Sequence, residues 1–228
     1  MRSLIVALAA AAVGAAPAAA QVVTLDEGSF TISQNGQRVG REEFSIRQTP
    51  AAGGGGSFVA TATVVYDDRR LSPALRTDNG GAPLAYQVEV KMGGASQERL
   101  SGQIGRGRFS ARVQTPRGES AREYVVSDGA LILDDDVFHQ YFFLAHWNRQ
   151  GAVPVVVPRR NVQVGMRVAD RGSEQLSVGG RAMDARHLTL SEPGGGQRDV
   201  WVDGRGRVLK VALPARGILA TRDDAPRP

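Results

Sequence analysis

The sequence predicts a mainly β protein: a single curled antiparallel sheet, an open half-barrel of about 10–12 strands, with one aromatic helix packed on its concave face. Three observations predict it. Apolar and polar residues alternate in short runs along most of the chain, as a half-buried strand requires. Turn residues, drawn largely from 28 glycines, interrupt those runs. One stretch, DDDVFHQYFFLAHW at 134–147, breaks the alternation and crowds aromatics together. With so many strands, twist makes a flat sheet curl or split into layers.

The first twenty residues stand apart from the fold. Arg2 precedes an apolar run over Leu4–Val13, and small residues follow to Ala18-Ala19-Ala20. This is the pattern of a secretory signal peptide cut before Gln21. The run is too short and alanine-rich for a membrane anchor, and no later stretch could span a bilayer. The expected division is a leader over 1–20, one β domain over 21–222 and a disordered tail over 223–228. The destination expected is the periplasm or the exterior. Cysteine is absent, which leaves no residue for a disulfide or for the lipidated cysteine of a bacterial lipoprotein. The fold must rest on an ordinary core.

The strands follow in order. Asn35-Gly36 sits between Phe30/Ile32 and Phe44/Ile46, and both residues tolerate the positive φ of a tight hairpin turn. After a Gly53–Gly56 loop come SFVATATVVYDD and LAYQVEVKM, the latter alternating Tyr86, Val88 and Val90 on one face. RFSARVQT, REYVVSDGALIL, AVPVVVP, VQVGMRVAD, SEQLSVGG, DARHLTLSE, RDVWVDGRGRVLKVALP and GILATR complete the series. Few helix-length crossovers separate them, so neighbours should be antiparallel.

Residues 134–147 fail as a strand because Tyr141, Phe142 and Phe143 are consecutive. As a helix they start well: Asp134 or Asp135 can cap the first turn, and acids suit the positive end of the helix dipole. Val137, Phe138, Tyr141, Phe142, Leu144 and Ala145 share one arc, while Phe143 and Trp147 lie outside it. Such a helix has apolar surface to bury on more than one side. About a dozen residues would span about 18 Å, enough to cross the hollow of a curled sheet. Gly151 and Pro154 should end it. The candidate ligand-binding residues are therefore Phe138, Tyr141, Phe142, Phe143 and Trp147, with Trp201 from the closing strands.

Other chemistry is sparse. His139 and His146 are seven positions apart, about 10 Å along a helix, whereas two ligands of one metal sit three or four apart. An ion pair of His139 with Asp135 and a partly exposed His146 are expected instead, with no metal and no cofactor. No nucleophile elbow and no dinucleotide fingerprint occurs: GESAR lacks the second glycine of the one, GRGRFS and GRGRVL the third of the other. No catalytic residue is assigned. The net charge of +5 comes with 26 arginines, only two lysines, Lys91 and Lys210, and acids interspersed among them. That is the mark of GC-rich coding and a mixed solvated surface, not of a nucleic-acid footprint.

The closing hairpin RDVWVDGRGRVLKVALPARGILATR (198–222) resembles the last strands of LolA/LolB-type periplasmic proteins, in which a Trp-containing strand ends in an Asp-Gly turn. NGQRVGREEF (35–44) resembles the start of several uncharacterised exported bacterial families of related architecture. The resemblance implies an unclosed barrel whose helix-covered concave face binds acyl chains or other apolar ligands; the missing cysteine departs from the lipid-anchored receptor. Three functions follow: an exported, non-enzymatic carrier of an apolar or lipid-like ligand; an envelope scaffold or protein-interaction module with a dry core and an envelope protein as partner; or a secreted hydrolase using carboxylates not recognisable as a pair.

Overall fold

The computed structural model describes residues 21–50 and 56–227. The expected leader, 1–20, lies outside the described residues, as does most of the Gly53–Gly56 loop. Fifteen strands form one sheet built of two arms. The N-terminal arm runs outward from the middle through consecutive hairpins: β1 (Val23–Gln34), β2 (Gln37–Pro50), β3 (Gly56–Tyr66), β4 (Arg69–Asp78), β5 (Pro83–Met92), β6 (Ala95–Gly105), β7 (Arg108–Thr115) and β8 (Gly118–Val125). The C-terminal arm starts at the opposite edge with the two-residue β9 (Leu131–Ile132). It then runs inward through β10 (Gly151–Val157), β11 (Val162–Val178), β12 (Arg181–Ser191), β13 (Gln197–Val202), β14 (Val208–Leu213) and β15 (Ile218–Arg222). β15 pairs with β1, from Phe30 opposite Arg222 to Gln34 opposite Ile218, so the first and last strands meet at the sheet's centre.

Every neighbouring pair is antiparallel except β9–β10. That exception positions the site. Parallel neighbours cannot be joined by a tight turn and need a crossover of about a dozen residues or more. Residues 133–150 are that crossover, and they carry the single α-helix among the described residues, α1 (Tyr141–His146). The crossover lies in the hollow of the sheet, where Phe138, Phe142, Phe143 and Leu144 join Phe30, Phe44, Tyr86 and Phe109 in one buried cluster. The predicted aromatic helix on the concave face is thus present. Trp201 belongs elsewhere. Its strand neighbours Val200 and Val202 enter the main core, so alternation turns Trp201 to the opposite face, into a small cluster with Val178, Ala185 and Leu209.

The Asn35-Gly36 turn has φ of +51° and +82°, as the hairpin demands, and the Asn35 N–H donates to the Gly217 carbonyl at 2.8 Å. Three features raise the strand count above the expected 10–12. β4 holds Pro73, and the β3–β4 ladder skips between Thr61/Ala74 and Val64/Leu71, where the ring has no N–H to give. β6 is mostly polar and buries only Leu100 and Gly102. β8 and β9 are separate strands where REYVVSDGALIL reads as one. Conversely VQVGMRVAD and SEQLSVGG are one strand, β11, bulged between Asp170 and Ser173.

Residues 223–227, read from the sequence as disordered, are tied to the sheet. Asp223 accepts hydrogen bonds from the Ser29 and Thr31 hydroxyls at 2.6 and 2.7 Å and pairs with Arg41 at 2.8 Å. Just before them, Arg222 is buried and bidentate on Asp26 at 2.7 and 2.9 Å. In the N-terminal arm, Gly102 makes room for the buried Phe109 ring: a Cβ there would lie 2.5 Å from the ring. Gly102→Ala should therefore destabilise the fold by about 1–3 kcal/mol through overpacking, measured as a lower urea midpoint with an unchanged slope.

Candidate functional site

The crossover is held in the hollow by three carboxylates. Asp134 accepts a hydrogen bond from the Tyr86 hydroxyl of β5 at 2.8 Å and from Arg159 Nε, at the β10–β11 turn, at 2.7 Å. Asp136 bridges Arg69 of β4 at 2.8 Å and Arg216, in the 3₁₀ turn Pro214–Arg216, at 2.6 Å. The third, Glu42 of β2, reaches the crossover from the sheet. Wholly buried, it accepts the backbone N–H groups of Phe138 at 2.7 Å and His139 at 3.1 Å, and lies 2.5 Å from His139 Nδ1. Phe44 stacks on the His139 ring at 5.8 Å.

These contacts correct two expectations. His139 pairs with Glu42 rather than Asp135, because the sheet offers a buried carboxylate at the position where the ring lands. The helix is six residues, not a dozen, and neither Asp134 nor Asp135 caps it. Asp134 is spent on Tyr86 and Arg159, and Asp136 adopts φ +62°, a left-handed conformation that interrupts any helix begun before it. The electrostatics differ between the clasps. Burial alone would raise the Asp136 carboxyl, but Arg69 and Arg216 outweigh it and hold it below the usual carboxylate range. At Asp134 burial wins over Arg159 and Tyr86 and pushes the carboxyl up. Burial, reinforced by Asp134, likewise raises the Tyr86 phenol.

Four of the six candidate residues meet in the core: Phe138, Tyr141, Phe142 and Phe143 are all 3% exposed or less. The Tyr141 hydroxyl accepts a hydrogen bond from Arg198 at 3.0 Å. Trp147 is half-buried, stacks on Phe143 at 5.8 Å, meets the edge of Phe58 at 4.9 Å, and lies against Gly81. Trp201 is on the other face, stacked on His187 at 4.4 Å with the Lys210 ammonium over its ring at 4.2 Å. No histidine meets a Ser or Thr hydroxyl among the described residues: His139 is engaged by Glu42, His187 by Asp199 at 2.9 Å, and exposed His146 faces the Arg205 carbonyl at 3.3 Å. No cluster of three metal-ligating side chains occurs among the described residues.

Two open clefts flank the crossover. The first, about 600 Å³, has Phe138 and Tyr141 in its floor, and its walls carry the clasp residues Asp134, Asp136, Arg159 and Arg216 with Arg198 and Glu192. Its charges mostly satisfy one another: Arg160 pairs with Glu192 at 3.1 Å, and Arg159 and Arg216 are engaged as above. The second cleft, about 830 Å³, lies at the C-terminal end of α1. Val23, Leu25, Phe142 and Ala145 give it apolar walls, and Arg186, Arg205 and Arg207 stand around it. Val22 and Val23, at the start of β1, are half exposed. Sequence reasoning missed Glu42, Tyr86, Arg69, Arg159 and Arg216, the partners of the crossover; each lies on a strand or turn distant in sequence. Arginine and glutamate in alternating strands carry no sign that they face inward.

The fold is similar to that of a β-barrel-like protein of the domain of unknown function DUF1849 from Brucella abortus. The two align with a TM-score of 0.56 at 9% identity, over 90% of this chain and 98% of that one. A protein from Bacteroides fragilis described as exported, with a YmcC-like fold, aligns over 89% of this chain and 95% of that one. Its identity is 8% and its TM-score 0.36, too low to support a comparison of detail. No protein family matches the sequence, and no curated protein does. What is established is a β-barrel-like fold: one large curled open sheet. Among the described residues no helix is long and apolar enough to cross a membrane.

Two outcomes test the clasps. Glu42→Ala leaves two backbone N–H groups and an imidazole buried without partners, and should cost about 3 kcal/mol in urea unfolding. Asp136 has a lowered native pKa, so its contribution is present above about pH 4, near the unfolded carboxyl value, and fades as pH falls through the native value. Asp136→Asn should accordingly flatten stability against pH below about pH 4 relative to the parent.

Proposed function

We propose that this protein is an exported, non-enzymatic binding protein that carries an apolar or lipid-like ligand in the larger cleft at the end of α1. The observation that carries the proposal is the match of size and lining: about 830 Å³ with Val23, Leu25, Phe142 and Ala145 in the walls. Ligand sites of this kind are clefts of roughly 300–1,000 Å³ lined mainly by apolar side chains. Each buried methylene would contribute about 0.8 kcal/mol. Of the aromatic residues, Phe142 forms the wall and Trp147, its ring centre 6.4 Å away, is the nearby fluorophore. Phe138, Tyr141 and Phe143 act behind it by holding the helix in place. The leader-like residues 1–20 and the LolA/LolB-like hairpins favour a periplasmic location.

A second reading rests on a separate observation. Phe138 through Ala145 are buried to within 3% exposure, the dry interior of a scaffold that binds an envelope protein by its surface. Native mass spectrometry of protein purified from its own host separates the two. A lipid adduct that is lost on delipidation, with a shift in tryptophan emission, is the expected result for the carrier. A clean unliganded mass with unchanged emission overturns it and favours the scaffold. Val23→Asp, which puts a carboxylate on an apolar wall, should weaken 1-dodecanol binding about tenfold or more by tryptophan titration, with unchanged far-UV circular dichroism.

A further inference from the structure

We infer that the ligand of the larger cleft is an anionic amphiphile, a single apolar chain ending in a carboxylate or phosphate, and that Arg205 receives the head. The inference rests on the carrier proposal above and names its ligand class. The cleft has a gradient of character: Leu25, Phe142 and Ala145 form apolar wall, while Arg186, Arg205 and Arg207 stand with Asp184 and Asp203 at its polar side.

The acids leave one of those arginines, Arg205, without a partner among the described residues. Asp203 is consumed by its own turn: Oδ1 accepts the N–H groups of Arg205 and Arg207 at 2.9 Å each, and Oδ2 takes Arg207 Nε at 2.7 Å. Asp184 is hydrogen-bonded by Gln175. Arg186 donates to Asn148 Oδ1 at 2.8 Å and pairs with Asp170 at 3.8 Å. The Arg205 guanidinium has no hydrogen-bond or ion-pair partner among the described residues, although its backbone is fixed on both sides. Its N–H is bound by Asp203 and its carbonyl faces His146, and the next residue, Gly206, packs directly on the backbone of α1. A planar guanidinium on a rigid turn, with its donors free and an apolar wall beside it, suits a head with two or more acceptor oxygens. The half-exposed Val23 extends the apolar wall outward, where a chain would enter.

The test compares dodecanoate, dodecyl phosphate and 1-dodecanol, each below its micellar concentration, on the full-length mature protein by calorimetry. At low salt at least one of the two anions should bind about tenfold or more tightly than the alcohol, with the gap closing as salt rises; whichever anion is preferred identifies the head. Arg205→Met, a change at an exposed side chain without a partner, should bring the anion down to the alcohol's affinity while leaving the alcohol's unchanged. Arg160→Met, in the other cleft, should alter neither. Equal binding of anions and alcohol, or an Arg205→Met protein that keeps the preference, overturns the head assignment and leaves the carrier proposal standing. Failure of all three probes to bind the parent overturns both.

Discussion

The structure depends on burying an acid where the sheet could not otherwise hold its crossover. Glu42 has no exposure, yet its two oxygens take up two backbone N–H groups and an imidazole of the segment that enters the hollow. A non-helical backbone carried into a core brings donors with it, and each must be satisfied away from water. Residues 138 and 139 precede the helix and so lack the partners that helical residues find within their own turn. One carboxylate from β2 supplies them. Asp134 and Asp136 repeat the device from the crossover's side, reaching β5, β4 and the C-terminal arm. The aromatics fill the volume, and the carboxylates set where it is filled.

This division of labour explains what the sequence disclosed. Strand character, the Asn35-Gly36 turn and the inward aromatic segment were legible because alternation, positive-φ chemistry and clustering are local signals. The short helix was not. Its shortness follows from Asp136 being pulled between Arg69 and Arg216, residues far away in the chain. β4 hid behind Pro73, which ordinarily argues against a central strand, and only the interruption in its ladder makes the proline acceptable. Trp201 looked like a companion of the other aromatics, but in a strand the face is decided by parity, and Val200 and Val202 had already claimed the inside. Of the candidate cleft, the sequence offered Phe142. Its remaining walls come from β1, β12 and the β13–β14 turn, which only the topology brings together.

On the carrier proposal, the head-binding side of the site is separate from the clasps. The charged cleft is built from the clasps that fix the crossover, so ligands there would compete with the fold's own ion pairs. The other cleft has Arg205 on a turn whose backbone is already satisfied, beside the end of the helix. A site arranged in this way can be altered without loosening what holds the interior closed.

The seam between β1 and β15 has a consequence for the order of assembly. A ribosome delivers β1 first and β15 last, yet they are neighbours in the middle of the finished sheet. Until the final strand emerges, the N-terminal meander has a bare inner border and the other arm has nowhere to dock. Pairing between strands so far apart in sequence makes such folding slow, and the two arms stay unjoined until β15 has been made.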